Sequence, residues 1–419
     1  MRRISSFLFL LTMLVTASAA FAQAPPDISR WSGGTASAQP QGFSQGSPLT
    51  LTWGFAALGS AINNDGSFAN GNNNLQTRLN TIYGSQATWQ PIFAGVFNRW
   101  NELAGLTYIF EAADDGAALS GANAGVLGVR ADVRISGKTL DGNSGVLAYN
   151  WFPNRGDMVI DTNDTFFDDT SSSSIRLRNV VSHEHGHGLG MSHVESSNGA
   201  FLMEPFYTNA FDGPQFHDIL VAHRGYGDVR EKSFAGLGND VAARATALGN
   251  VVSGGSVSIG NDARNLPVAP TETDFISIDD NTDTDFLSFS ISAPGTINIL
   301  LEALGHIYQT GPQGGTQVAF DTRLRSDLSL ALFDTNGTSL LISSNTTSFG
   351  GNETISNFFL GNAGTYFVRI QSVDNPDSIA LDTQFYGLNV SFVSVPEPGS
   401  IALLVGLGIT WSVSRRRRK

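Results

Sequence analysis

The stretch NVVSHEHGHGLGMSHVE, residues 179–195, contains four of the seven histidines in this chain of 419 residues. On an α-helix, residues four positions apart lie about 40° apart around the axis, so His183 and His187 share one face. His185 lies about 200° from His183 around the same axis and points away from that face. The spacing predicts that two of these three helical histidines act together.

Gly190 is placed to end the helix in a left-handed turn, after which the chain can bring His193 back toward the first two rings. Three neutral imidazoles leave one position of a tetrahedral zinc ion open, which is typical of a catalytic rather than a structural site. The chain has no cysteine, which excludes disulfides and thiolate ligands. We therefore predict one catalytic Zn²⁺ held by His183, His187 and His193.

Glu184 directly follows the first predicted ligand and is the predicted catalytic base. Zinc lowers the pKa of a bound water to about 7, so a nearby carboxylate can accept its proton. The same carboxylate can then pass the proton to the leaving amine. Gly186 and Gly188 each cost the helix about 1 kcal/mol relative to alanine. We therefore expect this helix to be stable mainly with its metal bound.

The string HEHGHGLGMSH, residues 183–193, resembles the zinc-binding signature of the metzincin metalloproteases, and the nearest subgroup is the matrixins. Those enzymes also have a methionine turn that supports the zinc site, and FLMEPFY, residues 201–207, offers Met203 for that role. The resemblance spans residues 48–228. It implies an α+β zincin-like catalytic domain, with a twisted mixed sheet and an active-site helix, that works as a zinc metalloendopeptidase.

The resemblance also implies calcium, because the matrixins bind it in the region that corresponds to DTNDTFFDD, residues 161–169. Calcium is a hard ion that prefers oxygen ligands. Asp161 and Asp164 are the main candidates, and Asp132 and Asp157 are further ones. A solvated acidic turn is the alternative interpretation of this stretch.

Other positions depart from the matrixin pattern or lie outside its signature. Tyr149 and Val159 stand where the matrixins place histidines of a second, structural zinc, so we expect that zinc to be absent. The absence of cysteine also excludes the cysteine latch of that family. His217 and His223 lie at helical positions after the signature, and both are interpreted as surface or packing residues.

The resemblance further implies how a substrate would bind. An extended peptide can add as a strand to an exposed sheet edge, and GVLAYNW, residues 145–151, is the expected edge strand. Pro205, Phe206 and Tyr207 would then wall the pocket for the residue after the scissile bond. We expect that residue to carry a hydrophobic side chain.

After about Tyr226 the helical periodicity fades, and short alternating stretches such as DFLSFSI and TYFVRIQSV follow between turn signals. This pattern predicts an all-β antiparallel sandwich over residues 235–393. SIDDNTDTDFLSFSISAPGTINILL and GNAGTYFVRIQS resemble the bacterial pre-peptidase C-terminal domain, which accompanies secreted proteases. Four aspartates in the first of these stretches either bind calcium or make turns: Asp279, Asp280, Asp283 and Asp285.

Both ends of the sequence carry targeting signals. Residues 1–22 combine Arg2 and Arg3 with an apolar run and small residues for cleavage, as a secretory signal peptide does. Residues 395–419 resemble a PEP-CTERM sorting tail, with VPEP, an apolar run and a basic cluster in order, and a plain C-terminal anchor is the alternative. Residues 23–47 are rich in Pro, Gly, Ser and Gln, and are expected to be flexible.

The charge of the chain restricts its partners. The net charge is −13, and seven of the 24 basic residues lie in the two targeting segments, so the body is more acidic still. Such a surface disfavours nucleic acid and anionic lipid as partners. Membrane contact is expected only through the C-terminal tail before it is processed.

These observations predict an exported zinc-dependent endopeptidase in the cell envelope or outside the cell, transiently anchored in the inner membrane. Its expected partners are a protein or peptide substrate and an exosortase-type processing enzyme. The main alternative is a cell-surface or matrix adhesion protein with an inactive metzincin module, and the intact Glu184 argues against it. A zinc-dependent hydrolase that acts on something other than a peptide is a further alternative.

Overall fold

The structure is a computed structural model that describes residues 28–37, 39–63, 67–119, 124–374 and 383–395. The predicted signal peptide, and the predicted sorting tail beyond Val395, lie outside these ranges. Within them, no helix combines the length and the apolar character needed to cross a bilayer.

The first half of the chain contains a five-stranded sheet and the long helices. Its elements in chain order are β1 (Leu49–Phe55), β2 (Ala61–Ile62), β3 (Gly71–Asn72), α1 (Leu75–Tyr83), α2 (Gln86–Leu103), β4 (Leu106–Phe110), β5 (Val133–Lys138), β6 (Ala148–Asn150), β7 (Met158–Asp161), a 3₁₀ turn (Thr165–Asp168), α3 (Ser171–Gly188), β8 (Val194–Ser196), α4 (Phe216–Tyr226) and the single turn α5 (Ser233–Gly236).

The sheet of the first half has the strand order β4-β1-β5-β7-β6. All neighbours are parallel except β6, which runs antiparallel to β7. This mixed sheet agrees with the predicted α+β domain, and β6 is its terminal strand, as expected for GVLAYNW. Helix α2 covers the sheet because its apolar residues recur at helical spacing, and the Trp53 and Phe97 rings stack with centroids 4.6 Å apart.

The second half of the chain contains two sheets. Its elements are a 3₁₀ turn (Ala242–Arg244), β9 (Thr246–Asn250), β10 (Ser256–Ile259), a 3₁₀ turn (Asn261–Arg264), β11 (Ser277–Ile278), β12 (Thr284–Ile291), β13 (Gly295–Ala303), β14 (Ile307–Pro312), β15 (Val318–Asp321), β16 (Asp327–Phe333), β17 (Leu340–Ser344), β18 (Glu353–Leu360), β19 (Gly364–Asp374) and β20 (Gln384–Ser394).

The two sheets form a sandwich with one apolar core between them. One sheet has the order β10-β20-β13-β18, with β11 also paired to β20, and the other has the order β17-β16-β19-β12-β9. Buried side chains from both sheets make the shared core, among them Leu287, Ile299, Leu330, Val368 and Val390. The sandwich is therefore present as a sheet-rich C-terminal region, which agrees with the expected class.

The expectation that the sandwich is entirely antiparallel is wrong for one strand pair. Strand β9 runs parallel to β12. The chain leaves β9 for β10 in the opposite sheet before it returns to β12, so no hairpin joins the two strands. Antiparallel pairing follows from a hairpin connection, whereas a crossover between sheets allows parallel pairing.

A strand pairing and a buried helix are among the contacts that join the halves. The hairpin of β14 and β15 extends from the sandwich and pairs with β8, which gives a three-stranded sheet with the order β15-β14-β8. Helix α4 is buried along its whole length between the halves. The main core accordingly includes Phe216 and Ile219 from the first half, and Tyr308 and Phe385 from the second.

The histidines of α4 face the sandwich. His217 Nδ1 lies 3.0 Å from the hydroxyl of Tyr308, and His223 Nδ1 lies 2.9 Å from the hydroxyl of Ser277. His223 Nε2 also donates to the carbonyl oxygen of Leu103 at 2.6 Å. Both rings are buried, so the packing interpretation is confirmed and the surface interpretation is wrong.

Residues 28–37 and 39–47, which belong to the segment expected to be flexible, make specific contacts with the first half of the molecule. The Trp31 side chain is 1% exposed, and its Nε1 donates to the carbonyl oxygen of Gly188 at 2.8 Å. The backbone nitrogen of Ser29 donates to the carbonyl oxygen of Gly190. A composition rich in Pro, Gly, Ser and Gln suggested flexibility, whereas the structure packs one tryptophan of this segment at the end of α3.

Trp31 lies before the first strand, but its substitution should still lower the free energy of unfolding. Trp31→Ala removes a fully buried aromatic side chain, and we expect the free energy of unfolding in urea to fall by about 3–5 kcal/mol. Phe43→Ala is the matched control, because Phe43 lies in the same segment and is 43% exposed. We expect it to change stability by less than about 1 kcal/mol. Equal losses in the two variants would contradict the packing of Trp31.

Candidate metal centre and active-site cleft

Helix α3 and the turn after it bring three histidine rings to one point. His183 and His187 project from adjacent turns of α3, and the chain then reverses so that His193 faces both. The Nε2 atom of His193 lies 3.1 Å from the Nε2 atom of His183 and 3.1 Å from that of His187. The structure thus brings together the three residues that the spacing predicted to converge.

The other nitrogen of each ring fixes the tautomer. His183 Nδ1 lies 2.6 Å from the carbonyl oxygen of Leu202, and His187 Nδ1 lies 2.7 Å from that of Met191. His193 Nδ1 lies 2.8 Å from Oε1 of Gln313. Carbonyl and amide oxygens only accept hydrogen bonds, so each Nδ1 carries the proton and each Nε2 presents a lone pair.

Three lone pairs that face one another cannot form hydrogen bonds among themselves. They fit a shared cation, and Zn–N distances of about 2.0–2.1 Å suit a triangle of nitrogens of this size. Burial lowers the pKa of His183 to about 3 and that of His187 to about 4. Both rings are therefore neutral at physiological pH, which is the form that binds a metal.

Glu184 lies beside this triangle, at the wall of the cleft. Its side chain is 7% exposed, and Oε2 has no hydrogen-bond partner among the described residues. Burial raises the pKa of Glu184 to about 8. A nearby cation favours the ionised form and counteracts that shift. The carboxylate is thus positioned to exchange a proton at the centre that the histidines face.

His185, the fourth histidine of the stretch, lies on the opposite face of α3, as helical geometry predicts. It is fully buried against Phe97 and Trp100, and Nε2 lies 2.6 Å from the hydroxyl of Tyr108. The structure does not bring His185 to the metal centre. It acts as a packing residue between α3 and the sheet.

The methionine turn lies directly beneath α3. A Cβ atom added to Gly186 would overlap the sulfur of Met203, so glycine lets the turn approach the helix. The Asp218 carboxylate holds the turn, because it accepts from the backbone nitrogens of Leu202 at 2.8 Å and Met203 at 3.1 Å. Because Leu202 is also the partner of His183, the support for the turn extends to the orientation of that ring.

The turn that ends α3 depends on a second glycine. Gly190 has a φ of +103°, in the region that favours glycine, and a Cβ atom there would overlap the carbonyl group of Ser29. The helix ends at Gly188, two residues earlier. The structure thus places Gly190 at the chain reversal, where the sequence analysis expected the helix to stop.

The metal centre opens into a cleft of about 800 Å³. One wall comes from residues 145–150, which include the terminal strand β6, and another from Pro205, Phe206 and Tyr207. Phe206 is 79% exposed, so its ring is available to a ligand. Pro312 and Gln313 also line the cleft, although they belong to the sandwich hairpin.

The candidate calcium residues of the first half are engaged by backbone donors. Asp161 accepts from the nitrogens of Leu140, Gly142 and Asn163, and Asp164 accepts from those of Ser144 and Phe166. These bonds anchor the loop between β5 and β6. Within the described ranges, neither carboxylate belongs to a group of three metal-ligating side chains.

The other two calcium candidates are engaged in the same way. Asp132 accepts from the backbone nitrogens of Thr52 and Ala36, and Asp157 accepts from that of Arg134. Burial raises the pKa of Asp157 to about 7. All four aspartates therefore hold the backbone around them, and calcium binding by them stays a prediction.

Sequence reasoning missed two functional side chains. Asp218 stands at the third position of α4, where its carboxylate and Gln215 form a reciprocal cap, although this residue pair departs from the usual capping-box sequence. Its bonds to the methionine turn are not readable. Gln313 lies 120 residues after His193, in a hairpin with no motif, so no signal in the sequence links the two.

Comparison with protein families identifies the core of the first half. Residues 74–220 match the family model described as Matrixin. This range contains α2, α3, all three converging histidines and the methionine turn, and it covers about a third of the chain. This part of the chain is therefore similar to the matrixins, a family of metalloproteases.

Two curated proteins are similar over parts of this region. The hatching enzyme of Paracentrotus lividus is 31% identical over 119 residues, which is 26% of this chain and 17% of that protein. Matrix metalloproteinase-25 of Mus musculus is 37% identical over 79 residues, which is 18% of this chain and 12% of that protein. The matched part thus spans less than a fifth of the length of either relative.

Among solved structures, the pre-peptidase C-terminal domain of a collagenase from Bacillus anthracis is similar at 13% identity. It covers 35% of this chain and 94% of that domain, with a TM-score of 0.21. PliG, a periplasmic lysozyme inhibitor of Aeromonas hydrophila, is similar at 10% identity over 35% of this chain and 96% of that one, with a TM-score of 0.20. Scores of this size do not establish a shared fold.

The contact between Gly186 and Met203 predicts opposite effects for two glycine substitutions in helices. We expect Gly186→Ala to lower the free energy of unfolding by about 1–3 kcal/mol, because the added methyl group overpacks the buried Met203 side chain. Gly95→Ala is the control, because nothing lies within 4 Å of the added Cβ atom. It should raise stability by up to about 1 kcal/mol. Urea unfolding checks both, and a stabilising Gly186→Ala would disprove the contact.

The bond from His193 to Gln313 predicts that the sandwich hairpin tunes metal affinity. Gln313→Ala removes the acceptor for the Nδ1 proton, and we expect zinc affinity to fall about 10–100-fold. Competition with a chromophoric chelator measures this directly. Gln309→Ala is the control, because that side chain lies on the same hairpin and is exposed. Equal affinities in Gln313→Ala and Gln309→Ala would show that the bond has no effect.

Proposed function

We propose that this protein is an exported zinc-dependent endopeptidase with one catalytic zinc ion. The observation that carries the proposal is the convergence of three Nε2 lone pairs, from His183, His187 and His193, at a cleft wall that also presents Glu184. The matrixin match over the same residues supports it. Met203 and Gly190 have supporting roles in this proposal, one beneath the helix and one at the chain reversal.

The three histidines would hold the ion, since their Nδ1 atoms are engaged and their Nε2 atoms face one another. A bound zinc ion would supply Lewis acidity, which activates water and polarises a peptide carbonyl group. Glu184 accepts the proton of the attacking water, and its buried, unpartnered oxygen suits that role. The protonated carboxyl then donates to the leaving amine, which returns Glu184 to its starting state.

The cleft suits an extended peptide. Strand β6 ends the sheet and lines the cleft, so a peptide could add beside it as a further strand. The exposed Phe206 ring, with Pro205 and Tyr207, favours a hydrophobic residue after the scissile bond. This arrangement supports a protein or peptide substrate over a small molecule.

Export and sorting rest on the sequence of the two ends. Residues 1–22 have the features of a secretory signal peptide, and residues 395–419 have those of a PEP-CTERM tail. We propose that an exosortase-type enzyme removes the tail after transient anchoring in the inner membrane. The protein would then act in the cell envelope or outside the cell.

The decisive experiment removes the proposed base while it preserves the fold. Zinc-loaded protein should cleave casein and quenched fluorescent peptides, and Glu184→Ala should reduce kcat by about 10²–10⁴-fold. Glu195→Gln is the control, because it removes a carboxyl group nearby on β8, and it should retain full activity. A zinc chelator should abolish cleavage, and one zinc per chain should be found by elemental analysis.

The outcomes separate the proposal from its rivals. Activity that persists in Glu184→Ala would disprove the assigned base. Protein that binds zinc but cleaves no peptide would favour the adhesion protein with an inactive module, or a hydrolase of another substrate. Two zinc ions per chain would contradict the single-zinc proposal.

A further inference from the structure

Glu204 is a charged residue in the wall of the cleft that takes no part in the proposed proton transfer. It stands between Met203 and Pro205, and it is among the residues that line the cleft. Of the cleft-lining residues that the structure describes, Glu184 and Glu204 carry carboxyl groups, and none is a lysine or an arginine. Because Glu184 serves the attacking water, the charge of Glu204 is available to a ligand in the cleft.

One oxygen of the Glu204 carboxyl group is fixed by strand β8. Oε1 accepts from the backbone nitrogen of Ser196 at 2.8 Å, and it also accepts from the hydroxyl of Ser196. These two donors hold the Glu204 side chain against the strand that follows His193 in the chain. The carboxyl group therefore has a defined position in the wall, so a ligand that binds there need not order it first.

The other oxygen of Glu204, Oε2, is open to the cleft. It accepts no hydrogen bond from any of the described residues. It is also absent from the described polar atoms that are both sealed from solvent and unpartnered. Glu204 is 9% exposed and lines the cleft, so a ligand in the cleft can reach Oε2.

The charge of Glu204 has no counterion within the described part of the chain. Burial raises the pKa of Glu204, the two bonds from Ser196 lower it, and the nearby Glu195 carboxylate raises it. The ion pairs of the described residues involve neither Glu204 nor Glu195. A ligand that brings a positive charge to Oε2 would therefore stabilise the ionised carboxylate.

The surroundings of Glu204 suit a long basic side chain better than a metal ion. Glu204 belongs to no group of three metal-ligating side chains among the described residues. The Phe206 ring, two residues further along the wall, is 79% exposed. Lysine and arginine bury their aliphatic stems along apolar surface while the charged head stays with polar groups. A basic side chain of a peptide thus matches both features of this wall.

Glu204 also lies close to where the scissile bond would be placed. It directly precedes the wall of Pro205, Phe206 and Tyr207, and Leu202, two residues before it, contacts the His183 ring. Consecutive Cα atoms are about 3.8 Å apart, and an extended peptide advances about 3.3 Å per residue. A substrate side chain that reaches Glu204 therefore belongs to a residue within about two positions of the one in the hydrophobic pocket.

We propose that Glu204 selects peptides that carry a lysine or an arginine within two residues of the hydrophobic residue after the scissile bond. This inference rests on the proposed peptidase function and names the substrate class of that cleft. Oε2 accepts a charge-assisted hydrogen bond from the ammonium or guanidinium group, and such bonds are stronger than those between neutral groups. The net charge of −13 also attracts basic proteins to the molecule as a whole.

Matched peptides test this proposal through a ratio of rates. Quenched fluorescent peptides of one sequence carry either lysine or glutamine at each position within two residues of the pocket residue. With zinc-loaded intact protein, lysine should raise kcat/KM about 10-fold over glutamine at one or more of these positions. An increase in ionic strength from about 0.05 M to about 0.5 M should reduce that ratio, because salt screens the attraction between charges.

Glu204→Gln separates the charge of this residue from its structural role. The variant loses the charge but keeps an oxygen that can accept from Ser196. It should lower the ratio of lysine to glutamine peptides to about 2 or less. Glu195→Gln is the matched control, because that carboxyl group lies nearby on β8 and outside the lining of the cleft, and it should keep the ratio. Should Glu204→Gln fail to fold, the ratio in the parent chain and its salt dependence still decide the matter.

Peptide binding distinguishes this proposal from the proposed peptidase function. Zinc-loaded Glu184→Ala should bind the lysine peptide about 10-fold more tightly than the glutamine peptide in a fluorescence anisotropy competition. The double variant, Glu184→Ala with Glu204→Gln, should lose that difference. A protein that cleaves no peptide but shows this binding preference would overturn the peptidase function and support the role of Glu204.

Three results would overturn the role of Glu204. One is equal kcat/KM and equal affinity for the lysine and glutamine peptides at all tested positions. Another is a preference for lysine that does not change with ionic strength. The third is a preference that Glu204→Gln retains in full, which would leave Glu204 only its contact with Ser196.

Discussion

Three imidazole nitrogens that face one another with no proton between them impose the main constraint on this molecule. Each ring is held by an acceptor at its far side, and the three acceptors come from different places. Leu202 belongs to the methionine turn, Met191 to the chain reversal after α3, and Gln313 to the sandwich hairpin. The lone pairs therefore converge only when helix α3, the methionine turn, the chain reversal and the sandwich hairpin are all in place. A bound cation would stabilise that arrangement.

What the sequence could predict is what depends on local geometry. The helical spacing of His183 and His187 and the glycine at the reversal are sufficient to bring His193 toward them. The edge strand β6 and helix α2 can be predicted from the spacing of apolar residues. When one face is buried, these residues recur every second position in a strand and every three to four positions in a helix. His185 was separable from the ligands for the same reason, since its side chain lies on the other face of α3.

What the sequence could not predict depends on partners far apart in the chain. Helix α1 buries only Leu75 and Leu79, which are too few to give the sequence a periodic apolar face. The ordering of Trp31 needs a groove that α3 creates, and the parallel pairing of β9 needs the crossover between sheets. The backbone donors that hold Asp161 also come from a distant loop, so only the fold reveals them.

The pairing of β8 with β14 has a consequence for how this architecture can change. A catalytic half released from its sandwich would present the bare edge of β8, and a bare strand edge invites association with other chains. It would also uncover the Phe201 ring, whose centroid lies 4.9 Å from that of Tyr308. The two halves therefore cannot be exchanged as independent modules, and a replacement sandwich would have to bring its own strand to the same edge.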